Sequence, residues 1–131
     1  MENIKQLQQQ FATLPGWEER YRLLIQLGKK LPPLDTDELS RMPLIHGCEV
    51  EVRFTAQKQP DGGYRFSAYS EARIMNGLLY LLLSALQSLP LSEIRQFDMT
   101  ALLQSCGIAP RLSETRLNGL KNIESLLHQL D

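Results

Sequence analysis

Reactive side chains are scarce in this sequence. Its 131 residues include only two cysteines and two histidines. Two cysteines are too few for a disulfide framework, and a chain of this length can bury a hydrophobic core without one. The spacings C-x-x-C and H-x-x-x-H do not occur, so a metal site would need ligands from distant segments. We therefore expect no metal and no cofactor, and the two histidines argue against a hydrolytic triad.

A bias toward one sign of charge and a long hydrophobic run are also absent. Fourteen basic and fifteen acidic residues give a net charge of −1, which argues against nucleic acid as a partner. The longest apolar run, residues 78–83, is far shorter than the roughly 18 residues of a spanning helix. The first residues do not resemble a secretion signal. We expect one domain over residues 1–131, a cytoplasmic location, reduced thiols and no membrane contact.

The hydrophobic pattern predicts an α+β fold. Apolar residues spaced three and four apart predict helices that begin near Ile4, Trp17, Glu71, Ser92, Thr100 and Glu114. The second and third of these are expected over residues 17–30 and 71–88, and Ser70 and Ser113 are expected to be N-caps. Residues 31–43 are predicted to be a loop with at most one helical turn.

Two segments have a period of two instead. Residues 50–57 and 64–69 alternate between apolar and polar side chains across a turn at 60–63, which predicts an antiparallel hairpin. Two strands rarely suffice alone, so an edge strand, for which residues 43–45 are a candidate, or covering helices must complete the sheet. The predicted fold is therefore a small antiparallel sheet packed on one side by several helices.

Cys48 is the best candidate for chemistry. It lies in the segment IHGCE, residues 45–49, between a proline-containing loop and the first strand, and Gly47 leaves room beside its sulfur. A loop thiol held by a sheet can act as a nucleophile if cationic groups favour its thiolate, and His46 and Arg73 are the candidates for that role. The alternative is that Cys48 is buried as a small apolar residue.

The remaining candidates favour structural roles. Cys106 follows an apolar helical face and precedes Gly107, which indicates packing rather than reactivity. His128 lies near the end of the last helix, where a cation complements the helix dipole. His46 and Cys48 together supply only two ligands, which do not make a metal site.

Four motifs in order resemble the SufE family, the sulfur-acceptor partners of cysteine desulfurases. They are WEERY…LGKKLP (residues 17–32), IHGCE (45–49), SEARIMNGL (70–78) and LSETRLNGL (112–120). Each motif alone is weak, but four in register are specific, and they span nearly the whole chain.

The resemblance implies a compact α+β fold similar to the IscU scaffold, and a persulfide chemistry. A desulfurase, which uses pyridoxal phosphate, forms a persulfide, and the acceptor thiolate attacks its outer sulfur as in thiol–disulfide exchange. Cys48 matches the persulfide cysteine and Gly47 the glycine before it. The other positions carried over by the motifs are Glu71, Arg73, Arg116 and Gly119. Side chains that could shield the sulfur or dock a partner are those of Trp17, Tyr21, Leu44 and Ile45.

The resemblance also implies partners and a class of activity. The protein would take sulfur from a cysteine desulfurase, stimulate that enzyme and deliver the sulfur to an iron–sulfur scaffold or another acceptor. It would be a sulfur-transfer protein rather than a stand-alone enzyme. Four positions depart from the family pattern: Arg53 replaces an aromatic residue, Val50 a small polar one, Tyr69 a common aspartate and Thr115 a serine. These departures leave open which desulfurase is served.

Two other functions stay open. The protein could dock on a desulfurase and regulate it without carrying sulfur, which the altered residues after Cys48 motivate. It could also be a redox sensor that uses Cys48 and Cys106, if their separation permits a disulfide.

Overall fold

Helices and one hairpin make up the computed structural model, which describes residues 1–47 and 50–131. The described elements are, in chain order, α1 (Ile4–Ala12), α2 (Trp17–Gly28), α3 (Thr36–Arg41), β1 (Val52–Lys58), β2 (Tyr64–Ser70), α4 (Arg73–Leu86), α5 (Leu91–Ile94), α6 (Met99–Ser105) and α7 (Glu114–His128), with a short 3-10 turn (Ala109–Arg111) before α7. This arrangement confirms the predicted α+β class. That residues 1–131 form a single domain stays a prediction.

The sheet is the predicted hairpin. β1 and β2 pair antiparallel, from Val52 opposite Ser70 to Lys58 opposite Tyr64. The candidate edge strand at residues 43–45 is reduced to one bridge, between Leu44 and Arg53, together with a hydrogen bond from the Ile45 N–H to the Val52 carbonyl (2.8 Å). Within the described residues the sheet has two strands. Helices therefore complete its apolar face.

α4 forms the centre of the core. Every residue from Leu78 to Leu86 is less than 10% exposed, as expected of a helix that is apolar on all sides. α4 packs against β2 on one side and α2 on the other. Phe54 and Ala68, which are more buried than their neighbours along the strands, provide the buried face of the hairpin. In the described part of the chain, no helix combines the length and apolar character needed to cross a membrane.

The predicted start of α4 was wrong. Ser70 is not an N-cap but the last residue of β2, and α4 begins three residues later with Ala72 at its N-cap. The Ser70 hydroxyl donates to the Glu51 carbonyl (2.7 Å) and accepts from the Ala72 N–H (3.2 Å). Strand pairing thus extends through Ser70 and postpones the helix. The helix also ends at Leu86, two residues before the predicted end.

Other helix ends follow their local signals. The Ser113 hydroxyl accepts from the Arg116 N–H (3.3 Å), which confirms the predicted cap of α7. Gly107, with φ of +69°, ends α6 as predicted. The Asp35 carboxylate caps α3, whose six residues are slightly more than the single turn expected.

Candidate functional site around residues 44 to 52

The site predicted from the sequence is centred on Cys48, which lies, with Glu49, outside the described residues. The structure defines instead what flanks them. Three parts meet there: the segment 44–47, the start of β1, and one face of α7. A fourth, the end of β2, contacts the backbone at Glu51.

The segment before Cys48 is anchored to β1. The Ile45 N–H donates to the Val52 carbonyl (2.8 Å), and the Arg53 guanidinium donates through Nη1 to the Met42 carbonyl (2.7 Å). Ile45 is buried, whereas its neighbour Leu44 is 45% exposed. The loop therefore leaves the sheet from a fixed point, with one apolar side chain holding it and another facing solvent.

α7 holds the next two residues. The Asn122 side chain donates through Nδ2 to the His46 carbonyl, across 76 positions of sequence. Gly47 has φ of +93°, and a Cβ atom placed there would lie 2.7 Å from the same Asn122 nitrogen. Gly47 thus meets two requirements that only glycine satisfies without strain, a left-handed backbone and close approach to a neighbouring side chain. The His46 side chain is exposed.

The start of α4 lies beside the backbone that leaves the loop. Ser70 contacts the Glu51 carbonyl, and the predicted residues Glu71 and Arg73 follow within three positions. Both side chains are exposed. The predicted effect of Arg73 on the Cys48 thiol stays a prediction.

A side chain of α4 fixes this junction. Asn76 accepts from the Ser70 N–H (2.8 Å) and donates to the Ser70 carbonyl (2.7 Å). The amide side chain therefore serves both backbone groups of Ser70, much as a neighbouring strand would. It locks the end of β2 to the first turn of α4.

The predicted residues of the last motif lie on α7. Arg116 is half-buried in its first turn, and Gly119 is buried one turn before Ile123. Sequence reasoning missed Asn118 and Asn122, the α7 residues that contact Gly47. Their spacing of four puts them on the same face of a helix, opposite the apolar stripe, but it does not indicate which part of the chain that face meets.

Trp17 and Tyr21 belong to the first turns of α2. Their rings meet edge to face with centroids 5.9 Å apart. Arg20 between them donates to the Gly107 carbonyl (3.5 Å) and the Leu14 carbonyl (3.3 Å), so this end of α2 packs beside the end of α6. Shielding of Cys48 by these two rings stays a prediction.

Cys106 and His128, which were expected to be structural, make contacts that fit such roles. Cys106 is a free thiol only 2% exposed, and burial raises its pKa to about 11, against a smaller opposing effect of the Ser105 hydroxyl. This confirms packing rather than reactivity for Cys106. The His128 Nε2–H donates to the Phe97 carbonyl (2.8 Å), which ties the end of α7 to the loop before α6. In residues 1–47 and 50–131 no three potential metal ligands cluster.

Comparison with solved structures defines the class of fold. A solution structure of a hypothetical protein from Thermus thermophilus superposes with a TM-score of 0.75. The alignment covers 95% of this chain and 90% of that one, at 20% sequence identity. The protein is therefore a small α+β protein of a fold already known.

Comparison with sequences identifies the family. A family model described as "SufE: Fe-S metabolism associated domain" matches residues 5–130. An uncharacterised SufE-like protein of Haemophilus influenzae is 44% identical over 93% of this chain and 97% of its own length. The sulfur acceptor protein CsdE of Escherichia coli is 35% identical over 92% of this chain and 82% of its own. The chain belongs to the SufE family, which confirms the resemblance carried by the four motifs.

Proposed function

We propose that this protein accepts sulfur on Cys48 from a cysteine desulfurase and passes it to iron–sulfur cluster assembly. Membership of a family associated with Fe–S metabolism supports the pathway, and the relative named as a sulfur acceptor supports the role. The observation that carries the proposal is the anchoring of residues 45–47 by β1 and α7, immediately before Cys48, whereas the other cysteine, Cys106, is buried in the core.

The chemistry needs one thiolate and no cofactor on this chain. The Cys48 thiolate attacks the outer sulfur of the desulfurase persulfide, a new sulfur–sulfur bond forms, and the desulfurase cysteine leaves as a thiolate. One sulfur–sulfur bond forms as another breaks, so the transfer needs neither an oxidant nor a reductant. A downstream thiolate removes it from Cys48 by the same exchange in a second step.

The flanking residues are assigned supporting roles in this proposal. Gly47 gives the loop its turn and leaves room for the Asn122 side chain, which holds the loop backbone through His46. Cationic groups of His46 and Arg73 would favour the thiolate of Cys48. Glu71, Arg116 and Gly119 are proposed to support the site or a partner contact, since the family motifs carry them over.

The proposal is tested by trapping the persulfide. The protein is incubated with a loaded cysteine desulfurase and free cysteine, and intact mass is measured before and after reduction. We expect the mass of one sulfur atom on the wild type and on Cys106→Ser, the matched control, and none on Cys48→Ser. Sulfur uptake and stimulation that survive unchanged in Cys48→Ser would contradict the proposal.

A second function is favoured by one observation. Val50 and Arg53 depart from the family pattern directly after the cysteine, so the protein could dock on a desulfurase and regulate it without carrying sulfur. In that case the wild type acquires no persulfide, and Cys48→Ser stimulates the enzyme as well as the wild type does. We place either function in the cytoplasm, where thiols stay reduced.

A further inference from the structure

Three residues form a row across the outer face of the hairpin. Arg53 lies opposite Tyr69 in the strand register, and Leu44 bridges to Arg53 from the other side. Paired residues point to the same face of a sheet, and neighbouring strands lie about 4.8 Å apart, so the three side chains occupy a strip roughly 10 Å wide. We call Leu44, Arg53 and Tyr69 the outer row. Leu44 precedes the loop that carries Cys48, and Arg53 follows it.

The outer row is unusually apolar for a solvent-facing surface. Leu44 is 45% exposed and Tyr69 is 37% exposed. Among the described residues only five large hydrophobic side chains are exposed to this degree, and two of them flank Arg53. Single exposed apolar residues are common, but a pair around one charge beside a candidate site fits a contact surface.

The charge at the centre of the row is not neutralised by any described residue. Arg53 is half-buried and donates through Nη1 to the Met42 carbonyl, while no described carboxylate lies within ion-pair distance of it. A guanidinium carries five N–H donors in a planar fork, so most remain for a partner. The fork is suited to a carboxylate, which it can bind through two parallel hydrogen bonds.

Further positive charge lies along the same face. Arg65 follows on the outer side of β2, and with Arg41 of α3 it lines a cleft of about 260 Å³. Glu38 is the one carboxylate among the cleft-lining residues. The cleft is therefore lined by two guanidinium groups and one carboxylate, so it is locally basic although the whole chain has a net charge of −1. Such local charge favours an acidic partner surface.

The register sets the order of the side chains in the row. Arg53 lies between Leu44 and Tyr69, so its guanidinium is flanked on both sides by an apolar side chain. A partner segment that fits the row must place a negative charge beside an apolar side chain, and one with a positive charge there would be repelled. The row can therefore distinguish one desulfurase from another.

We propose that the outer row determines which desulfurase this protein serves, by binding a desulfurase segment in which a carboxylate lies beside an apolar side chain. This rests on the proposed function for the identity of the partner. The carboxylate would pair with Arg53, and the apolar side chain would pack on Leu44 and Tyr69. The row is a docking element, and it takes no part in the sulfur transfer.

Binding measurements with the desulfurases of the same genome, each loaded with pyridoxal phosphate, test the proposal. Arg53→Glu should weaken binding of the cognate enzyme at least tenfold and reduce its dependence on salt. Arg95→Glu, which makes the same charge change at an exposed position after α5, should bind within about twofold of the wild type. The exchange Arg53→Trp with Tyr69→Asp should weaken the cognate enzyme and strengthen another desulfurase.

Two further variants separate docking from folding. Arg53→Lys keeps the charge but loses the planar fork, so it should weaken binding less than Arg53→Glu does. Tyr69→Ala alters only an exposed side chain and should weaken binding several-fold. With Tyr69→Ala, which leaves the Arg53–Met42 hydrogen bond in place, a higher protein concentration should restore sulfur uptake by Cys48, because docking and not transfer is impaired. The proposal is overturned if Arg53→Glu and Tyr69→Ala bind like the wild type, or if Arg95→Glu weakens binding equally. If the wild type binds through Arg53 but gains no sulfur, the proposed function is refuted, whereas the docking role of the outer row is not.

Discussion

The contact between α2 and α4 depends on Gly77, and replacing it with alanine should destabilise the protein. A Cβ atom at Gly77 would lie 2.1 Å from the Leu24 carbonyl oxygen, 2.6 Å from its carbon and 2.9 Å from the Leu24 Cα. All three atoms are backbone, so no rotamer change relieves the contact. To reach ordinary contact distance the two helix backbones must separate by roughly 1.3 Å near this point.

The size of the effect follows from two opposing contributions. Alanine is the better helix former by about 1 kcal/mol, which would stabilise α4. Overpacking in a core costs about 1–3 kcal/mol and sometimes more, and a clash between two backbones belongs at the upper end. We therefore expect Gly77→Ala to lower the free energy of unfolding by about 2 kcal/mol or more, with a fall in Tm of roughly 6–10 °C for a chain of this length.

Chemical and thermal denaturation followed by circular dichroism measure this effect. Gly63→Ala is the control, because a Cβ there meets only the flexible Asp61 side chain at 3.3 Å, and it should change stability by less than about 0.5 kcal/mol. Helix propensity alone predicts the opposite sign for Gly77→Ala. An unchanged or higher stability of that variant would refute the packing argument.

Three other predictions concern the loop, the junction and the buried thiol. Gly47→Ala should lower the free energy of unfolding by about 1–2 kcal/mol. In a double-mutant cycle, Asn122→Gly should relieve part of this loss, and strictly additive losses would refute the contact. Asn76→Ala leaves both buried backbone groups of Ser70 without their partner, so the free energy of unfolding measured in urea should fall by about 2 kcal/mol. A fall of less than about 0.5 kcal/mol would show that water replaces the amide. With a pKa of about 11, the buried Cys106 thiol is only about 0.1% thiolate at pH 8. The folded Cys48→Ser variant should therefore resist iodoacetamide at pH 8, react faster as the pH rises toward 11, and be labelled readily in urea. Rapid labelling of the folded variant at pH 8 would contradict this.

Local signals in the sequence predicted most of the fold. The hairpin was evident from the period-two alternation, and the ends of α6 and α7 followed from Gly107 and Ser113, whose effects act within a few residues. Ser70 misled for a physical reason. A serine before an apolar helix is a good N-cap, but here strand pairing with Val52 and the Asn76 side chain hold Ser70 in the sheet.

The candidate site could be predicted only in part. Cys48 and Gly47 stand out within one motif. Gly47 has a positive φ, the unusual backbone conformation that a glycine permits. The contacts of Asn122 and Asn118 with the loop could not be derived, because they join positions more than 70 residues apart and depend on how α7 packs. The sequence placed both asparagines on a helix but could not tell which part of the chain that helix would meet.

The distance in sequence between His46 and Asn122 has a consequence for protein synthesis. A ribosome makes Asn122 76 residues after His46, so the loop leading to Cys48 lacks its α7 contact until those residues have been made. The hairpin can form earlier, since its two strands are adjacent in the chain. The hairpin, with Leu44 and Ile45 joined to β1, can therefore form before the α7 contact to His46 exists. The contact between the loop and α7 therefore forms only after the core helix α4, which lies between them in the chain, has been made.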